Sequence, residues 1–235
     1  MALDIPFLKK SSGVKQAPAA PPKPGTTLPK PPAPTQPPQK PASQPIKPAT
    51  ELEELRLKVE LYRLILSRYE SFVEESESKS VSDLKGLVRP FDHSVTEAKI
   101  SILDAFHPYS PDDHFIQAAD FAIARIAKIR TVELPINFWL DFEQMDSVAA
   151  ADEMDKAIYL CSILRSLDCQ NARVLITNSK KPYVMFEYKG VFHLANTTAA
   201  TRVYGTKQQV LATLGADKPQ YSFSDSDYEE YGEEG

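Results

Sequence analysis

The sequence predicts an α+β fold: one central helix laid on a short antiparallel sheet, preceded by an all-helical layer and flanked by disordered tails. Two observations carry this expectation. From Asp152 to Leu167, the residues Ala157, Leu160, Cys161, Leu164 and Leu167 recur at helical spacing and share one face. Three apolar runs follow at once, at 172–178, 183–189 and 191–196, each too short for a helix. Lys189-Gly190 joins the last two, and its glycine supplies the backbone freedom that a tight hairpin needs. A helix followed by hairpin-linked strands is the pattern of an α+β core.

Residues 50–132 read as the helical layer. Thr50-Glu-Leu-Glu53 is a capping box that opens the first helix. Leu52, Leu55, Val59, Tyr62, Leu66, Tyr69 and Val73 then alternate at spacings of 3 and 4, which is a heptad seam. Leu57, Leu61, Leu64, Ile65 and Phe72 form a second apolar stripe. So wide an apolar surface has to pack on more than one neighbour. An intramolecular helical hairpin would supply one, and a second copy of the chain another. The acidic, serine-rich stretch 74–82 ends this helix, and 84–88 reads as a short turn before Pro90. A second helix is expected over 94–106, with Val95, Ala98, Ile102, Ala105 and Phe106 near one face. Ser110-Pro111 is an N-cap with proline at the first helical position, and the third helix runs to about Arg130.

The core is expected over 133–216. The extended stretch 134–140 holds Trp139, the only tryptophan, and Asp141 can cap a short helix through Met145. Beyond the strands, Thr206 can cap a last helix, 207–214, that stops at Gly215.

The tails are set apart by composition. Residues 1–49 hold 14 of the 20 prolines, and apart from Val14, Leu28 and Ile46 residues 11–49 lack the large side chains that would offset chain entropy. They read as a disordered, lysine-rich spacer or ligand segment. A short apolar motif of Leu3, Ile5, Phe7 and Leu8 precedes it and could dock a tethered partner. Residues 217–235 hold seven acids and one lysine and read as a disordered acidic tail. The whole chain carries a net charge of −5, which does not favour nucleic acid as a partner. No apolar run is long enough for a membrane span. Two cysteines, Cys161 and Cys169, fit a reducing compartment better than a disulfide framework, so a cytoplasmic location is expected. No cofactor is expected: His93, His107 and His114 lack paired metal-ligand spacing, and eight glycines leave little scope for a phosphate loop.

Asp152-Glu-Met-Asp155-Lys156-Ala157, Ile163-Leu-Arg165-Ser-Leu167, Ala172-Arg173-Val174, Tyr183-Val-Met-Phe-Glu187 and Phe192-His-Leu-Ala-Asn196-Thr-Thr198 succeed one another at a spacing that resembles the transglutaminase-like superfamily, in its archaeal and bacterial form. That superfamily has a core related to papain-type cysteine peptidases. The upstream Phe138-Trp139-Leu140-Asp-Phe-Glu143 adds to the likeness, which covers about residues 134–200. The resemblance implies a nucleophilic cysteine at the start of the central helix, where the helix dipole and a histidine stabilise the thiolate. It places Glu153 at that position, Tyr183 at the histidine and Asn196 at the residue that orients the histidine. A carboxylate cannot form the thioester, and tyrosine is a poor base near neutral pH.

The chain is therefore expected to be a degenerate member, a pseudoenzyme that binds a protein or peptide partner or acts as a scaffold. On this reading Glu153, Tyr183 and Asn196 form a hydrogen-bonded cluster in the vestigial cleft. An acid in a first helical turn is also favoured by the dipole alone. Two alternatives stand beside it. One is an active thiol enzyme using Cys161 with His193. The other is a structural oligomer assembled as a coiled coil through residues 52–73.

Overall fold

The computed structural model describes residues 51–77, 79–134 and 138–232. The expectations for residues 1–49, with the apolar motif at Leu3, Ile5, Phe7 and Leu8 and the proline-rich segment, lie outside the described residues, as does the Thr50 cap. The protein is α+β. A helical layer is formed by α2 (Val81–Leu87), α3 (His93–Leu103), α4 (Pro111–Ala127) and α5 (Phe142–Val148). The central helix is α6 (Glu153–Ser166), and six strands lie beyond it. These are β3 (Arg173–Thr177), β4 (Pro182–Tyr188), β5 (Val191–Asn196), β6 (Thr201–Gly205), β7 (Pro219–Phe223) and β8 (Tyr228–Glu230). Their order is β6-β5-β4-β3-β7-β8, antiparallel throughout. Two short strands, β1 (Arg130–Thr131) and β2 (Ala150–Ala151), pair in parallel and fix the chain just before α6.

One apolar core fills the space between the helices and the sheet. Ala98, Phe115, Ala119 and Ile126 come from α3 and α4, Leu160 and Leu164 from α6, and Val174, Val184 and Phe186 from the sheet; all are buried. Small residues on α4 let it approach α6 closely. The other face of the sheet carries a smaller cluster of Leu175, Met185 and Leu194 under Val210 of α7 (Lys207–Ala212). The expected Thr206 cap is present: its hydroxyl accepts from the Gln209 amide, and the Gln209 side chain accepts from the Thr206 amide. The β4–β5 hairpin turns on Lys189 and Gly190, both at positive φ (50° and 77°), as a two-residue connection requires.

Three expectations need correction. The first concerns 217–235. Instead of starting a disordered acidic tail, this stretch contributes β7 and β8 to the central sheet. Phe223 is buried and Tyr221 and Tyr228 pack beside it. Three of its acids meet partners far away in sequence: Asp225 pairs with Arg165 at 2.5 Å, Glu229 with Arg173 at 2.7 Å, and Asp217 accepts from the Ser179 hydroxyl. Counting charge hid the aromatic-serine alternation Tyr221-Ser222-Phe223 of β7 and the Tyr228 of β8 that packs beside it. The second concerns the sheet, which extends beyond the three expected strands to β6, whose residues are mostly exposed at the sheet edge. The third concerns α1 (Glu51–Glu77). Its stripes are not covered by another helix of the described residues: Leu57 is 72% exposed, Leu64 and Phe72 70%. The intramolecular hairpin suggested by the seam is not formed.

Candidate functional site

The start of α6 organises a groove. Asp152 is the N-cap, and its carboxylate oxygen Oδ1 accepts from the Asp155 amide at 2.7 Å. That cap fixes Glu153 as the first helical residue, with its side chain exposed. Opposite it runs the hairpin β4–β5, whose register pairs Val184 with Ala195 and so sets Tyr183 across from Asn196. Glu153, Tyr183 and Asn196 therefore line one cavity of about 190 Å³, together with Lys181 and Thr198. A second, more open cavity of about 410 Å³ adjoins it and shares Glu153 and Pro182 as walls. Thr131, Glu133, Asp152 and Lys180 line this second part. The result is a trough with acids along its helical side and two lysines on the β3–β4 turn.

The hydrogen bonds within the trough differ from the expected direct cluster. Glu153 Oε1 accepts from the Thr198 hydroxyl at 3.1 Å. Asn196 Oδ1 accepts from the Thr198 and Ala199 amides, both at 2.9 Å, and so builds the turn that carries Thr198. Asn196 thus reaches Glu153 through that turn. Tyr183 is half-buried and packs with Leu175 and Leu194 on the far face of the sheet. Thr198 was within reach of sequence reasoning: Asn-Thr-Thr after a strand is an Asx-turn signal.

Behind the trough lie groups that the sequence pattern did not single out. The Asp155 side chain is buried, and Oδ2 accepts from the Leu140 amide at 3.3 Å. Burial, reinforced by the Asp152 charge, pushes this carboxyl up to about 8, so it holds its proton near neutral pH. Burial also raises Asp152. A cavity of about 80 Å³ beside Asp155 is lined by Arg89, Trp139 and Asp141. Lys156 is buried too; its ammonium donates to the Ile129 carbonyl and the Thr131 hydroxyl, both at 2.9 Å, tying α6 to β1. Burial lowers its pKa, and the Glu153 charge opposes that shift.

The thiol alternative finds no geometry for catalysis. Cys161 is fully buried two turns inside α6, and burial drives its pKa far upward. Cys169 is buried as well, with its thiol pushed up to about 12, chiefly by burial. His193 lies against Phe186, its ring stacked at 4.8 Å, and its Nδ1 sits 2.7 Å from an Arg202 guanidinium nitrogen. Arg202 in turn holds Asp120 through two bonds of 2.7 and 2.9 Å. Burial and the Arg202 charge push the imidazole down to about 4, so it is neutral and its Nδ1 is occupied as an acceptor. Neither cavity wall of the trough carries a cysteine or a histidine. Among the described residues no group of three or more His, Cys, Asp or Glu side chains is placed to hold a metal ion. What the trough offers is charge, hydrogen bonding and shape.

No family model matches the chain. No curated protein matches it either. Among solved structures, Legionella pneumophila LapG in its EGTA-treated form is similar, with a TM-score of 0.45 and 12% identity over 66% of this chain and 87% of LapG. Calcium-bound Legionella pneumophila LapG is similar with a TM-score of 0.44 and 14% identity over 65% of this chain and 88% of LapG. No helix among the described residues is long and apolar enough to cross a membrane.

Proposed function

We propose that this is a catalytically silent domain of transglutaminase-like type that binds a peptide or protein segment in the trough at the start of α6. The observation that supports it is the convergence of Glu153, Tyr183 and Asn196 on one cavity. The resemblance to the transglutaminase-like superfamily would give these three the places of the nucleophile, the base and the orienting group, and none of them is a thiol or an imidazole. A carboxylate in the thiolate's place, with a half-buried tyrosine and the two lysines of the β3–β4 turn lining the same trough, makes a site for a polar chain. A cationic side chain set against Glu153 would be held by charge and by the Thr198 turn. Both cysteines are free thiols, which suits a reducing compartment such as the cytoplasm.

Selection of a displayed random peptide library on the full chain tests this. Enriched peptides should carry a lysine or arginine, should lose binding to Glu153→Lys, and should stay intact by mass spectrometry after prolonged incubation with the protein. Enrichment indifferent to Glu153→Lys and Tyr183→Ala would move binding off the trough. Cleavage or acyl transfer on the bound peptides would overturn the silent assignment.

A further inference from the structure

Helix α1 concentrates the exposed apolar surface of the described residues. Eleven of the twenty exposed large hydrophobic residues among them lie on it. A patch on that scale marks an association surface. Its 27 residues extend about 40 Å at 1.5 Å per residue, ample for a coiled-coil seam. A lipid surface is a poor match, because the helix carries eight glutamates against four cations and anionic headgroups would repel it.

We infer that α1 pairs with α1 of a second copy as an antiparallel two-stranded coiled coil. The charges beside the seam select both the occupant and the direction. With Leu52, Val59 and Leu66 at heptad position a and Leu55, Tyr62 and Tyr69 at d, Arg56, Arg63 and Glu70 occupy e, and Lys58, Ile65 and Phe72 occupy g. Two parallel copies would set Lys58 at g of one against Arg63 at e of the other, a like-charge contact. Two antiparallel copies in which Leu66 faces Tyr62 bring e against e. Arg63 of one then meets Glu70 of the other, and the two-fold axis makes that pair twice. Arg63 is well exposed, and among the described residues its one ion-pair contact is at 3.4 Å with Glu60 across a solvated face, so it is available to a partner. The arrangement also places the folded cores at opposite ends of the rod, where they do not collide. It is independent of the trough, and each reading can fail without the other.

Sedimentation of the full chain over a concentration series tests the pairing. The expected limit is twice 26.2 kDa, reverting to 26.2 kDa in Leu66→Glu. Glu70→Arg should weaken association about tenfold, and the double exchange Arg63→Glu with Glu70→Arg should restore it. Direction is read by oxidising single-cysteine variants: Val59→Cys mixed with Tyr69→Cys should crosslink, and each alone should not. A monomeric mass at every concentration, a dimer that persists in Leu66→Glu, or self-crosslinking of Val59→Cys alone would each overturn the inference.

Discussion

Helices α1 and α6 carry apolar residues at similar spacing and end in opposite surroundings. α1 leaves leucines, tyrosines and a phenylalanine in water. α6 buries even its polar side chains: Asp155, Lys156, Ser162, Arg165 and Ser166 are all buried. The difference does not lie in hydropathy. Most of the buried polar side chains of α6 have a partner on a neighbouring element, while the Ser166 hydroxyl donates to the Ile163 carbonyl within the helix. Lys156 has β1, Tyr159 donates to Asp146 at 2.7 Å, the Ser162 hydroxyl accepts from the Arg89 amide at 3.0 Å, and Arg165 pairs with Asp225 and the Gln170 carbonyl. Burial of a polar group is tolerated where its hydrogen bonds are replaced. Exposure of an apolar stripe persists where no element of the same chain arrives to cover it. A hydropathy pattern states which faces favour burial; neighbours decide which faces obtain it.

The sharpest way to break this comparison is to cut the same side chain from each helix. Leu164→Ala removes a fully buried leucine between the helical layer and the sheet, and unfolding in urea should show a loss of about 3 kcal/mol. Leu64→Ala, on the face of α1 away from the heptad seam, should change stability by no more than about 0.5 kcal/mol. Equal losses would mean that α1 is covered within the monomer.

A second test uses the acid that α6 buries. A carboxyl pushed up to about 8 is neutral in the folded protein where it would be ionised in the unfolded chain. Its contribution is therefore fully present below the ordinary carboxylate range and is lost as pH rises towards 8. Asp155→Asn keeps the shape and the acceptor for the Leu140 amide but cannot ionise. Between pH 4 and pH 8 the natural protein should lose about 2–3 kcal/mol that the variant retains, allowing for relaxation around the site. Thermal melts of the two proteins across that range should converge at the acid end and separate at the basic end.

How much of this was legible follows the same division. Strand β5 (Val191–Asn196) is read from the sequence with the bounds it has in the structure, because an apolar run against a Lys-Gly hairpin leaves little choice. α3 and α4 are placed to within a few residues by their apolar faces and by Pro111. Glu153, Tyr183 and Asn196 line one cavity, but Glu153 accepts from Thr198 and Asn196 from the backbone of the turn rather than from one another. What failed depends on pairing between distant positions. β7 and β8 resemble an acidic tail until Asp225 and Glu229 meet the Arg165 and Arg173 that pair with them, some 60 residues upstream. β6 carries no apolar alternation because only one of its edges is paired. The buried Asp155 and Lys156 look like an ordinary charged helix start until β1 and Leu140 are in place.

The smallest expected effect lies where the trough meets water. The Thr198 hydroxyl donates to Glu153 across an exposed contact, so its net contribution to stability is small. Thr198→Val keeps the bulk and the backbone, and the Thr198 and Ala199 amides can still donate to Asn196. The turn should therefore persist and the melting temperature should stay within about a degree, corresponding to less than ~0.5 kcal/mol. Glu153, no longer held in one orientation, should bind a cationic peptide selected on the natural protein about two- to threefold more weakly, as expected when a side chain must be ordered on binding. Asn196→Ala would release the turn itself, so titrating the same peptide against both variants separates the orientation of Glu153 from the integrity of the wall that carries Thr198. Weaker binding in Asn196→Ala alone would mean that the turn shapes the trough and that the Thr198 contact contributes nothing to recognition.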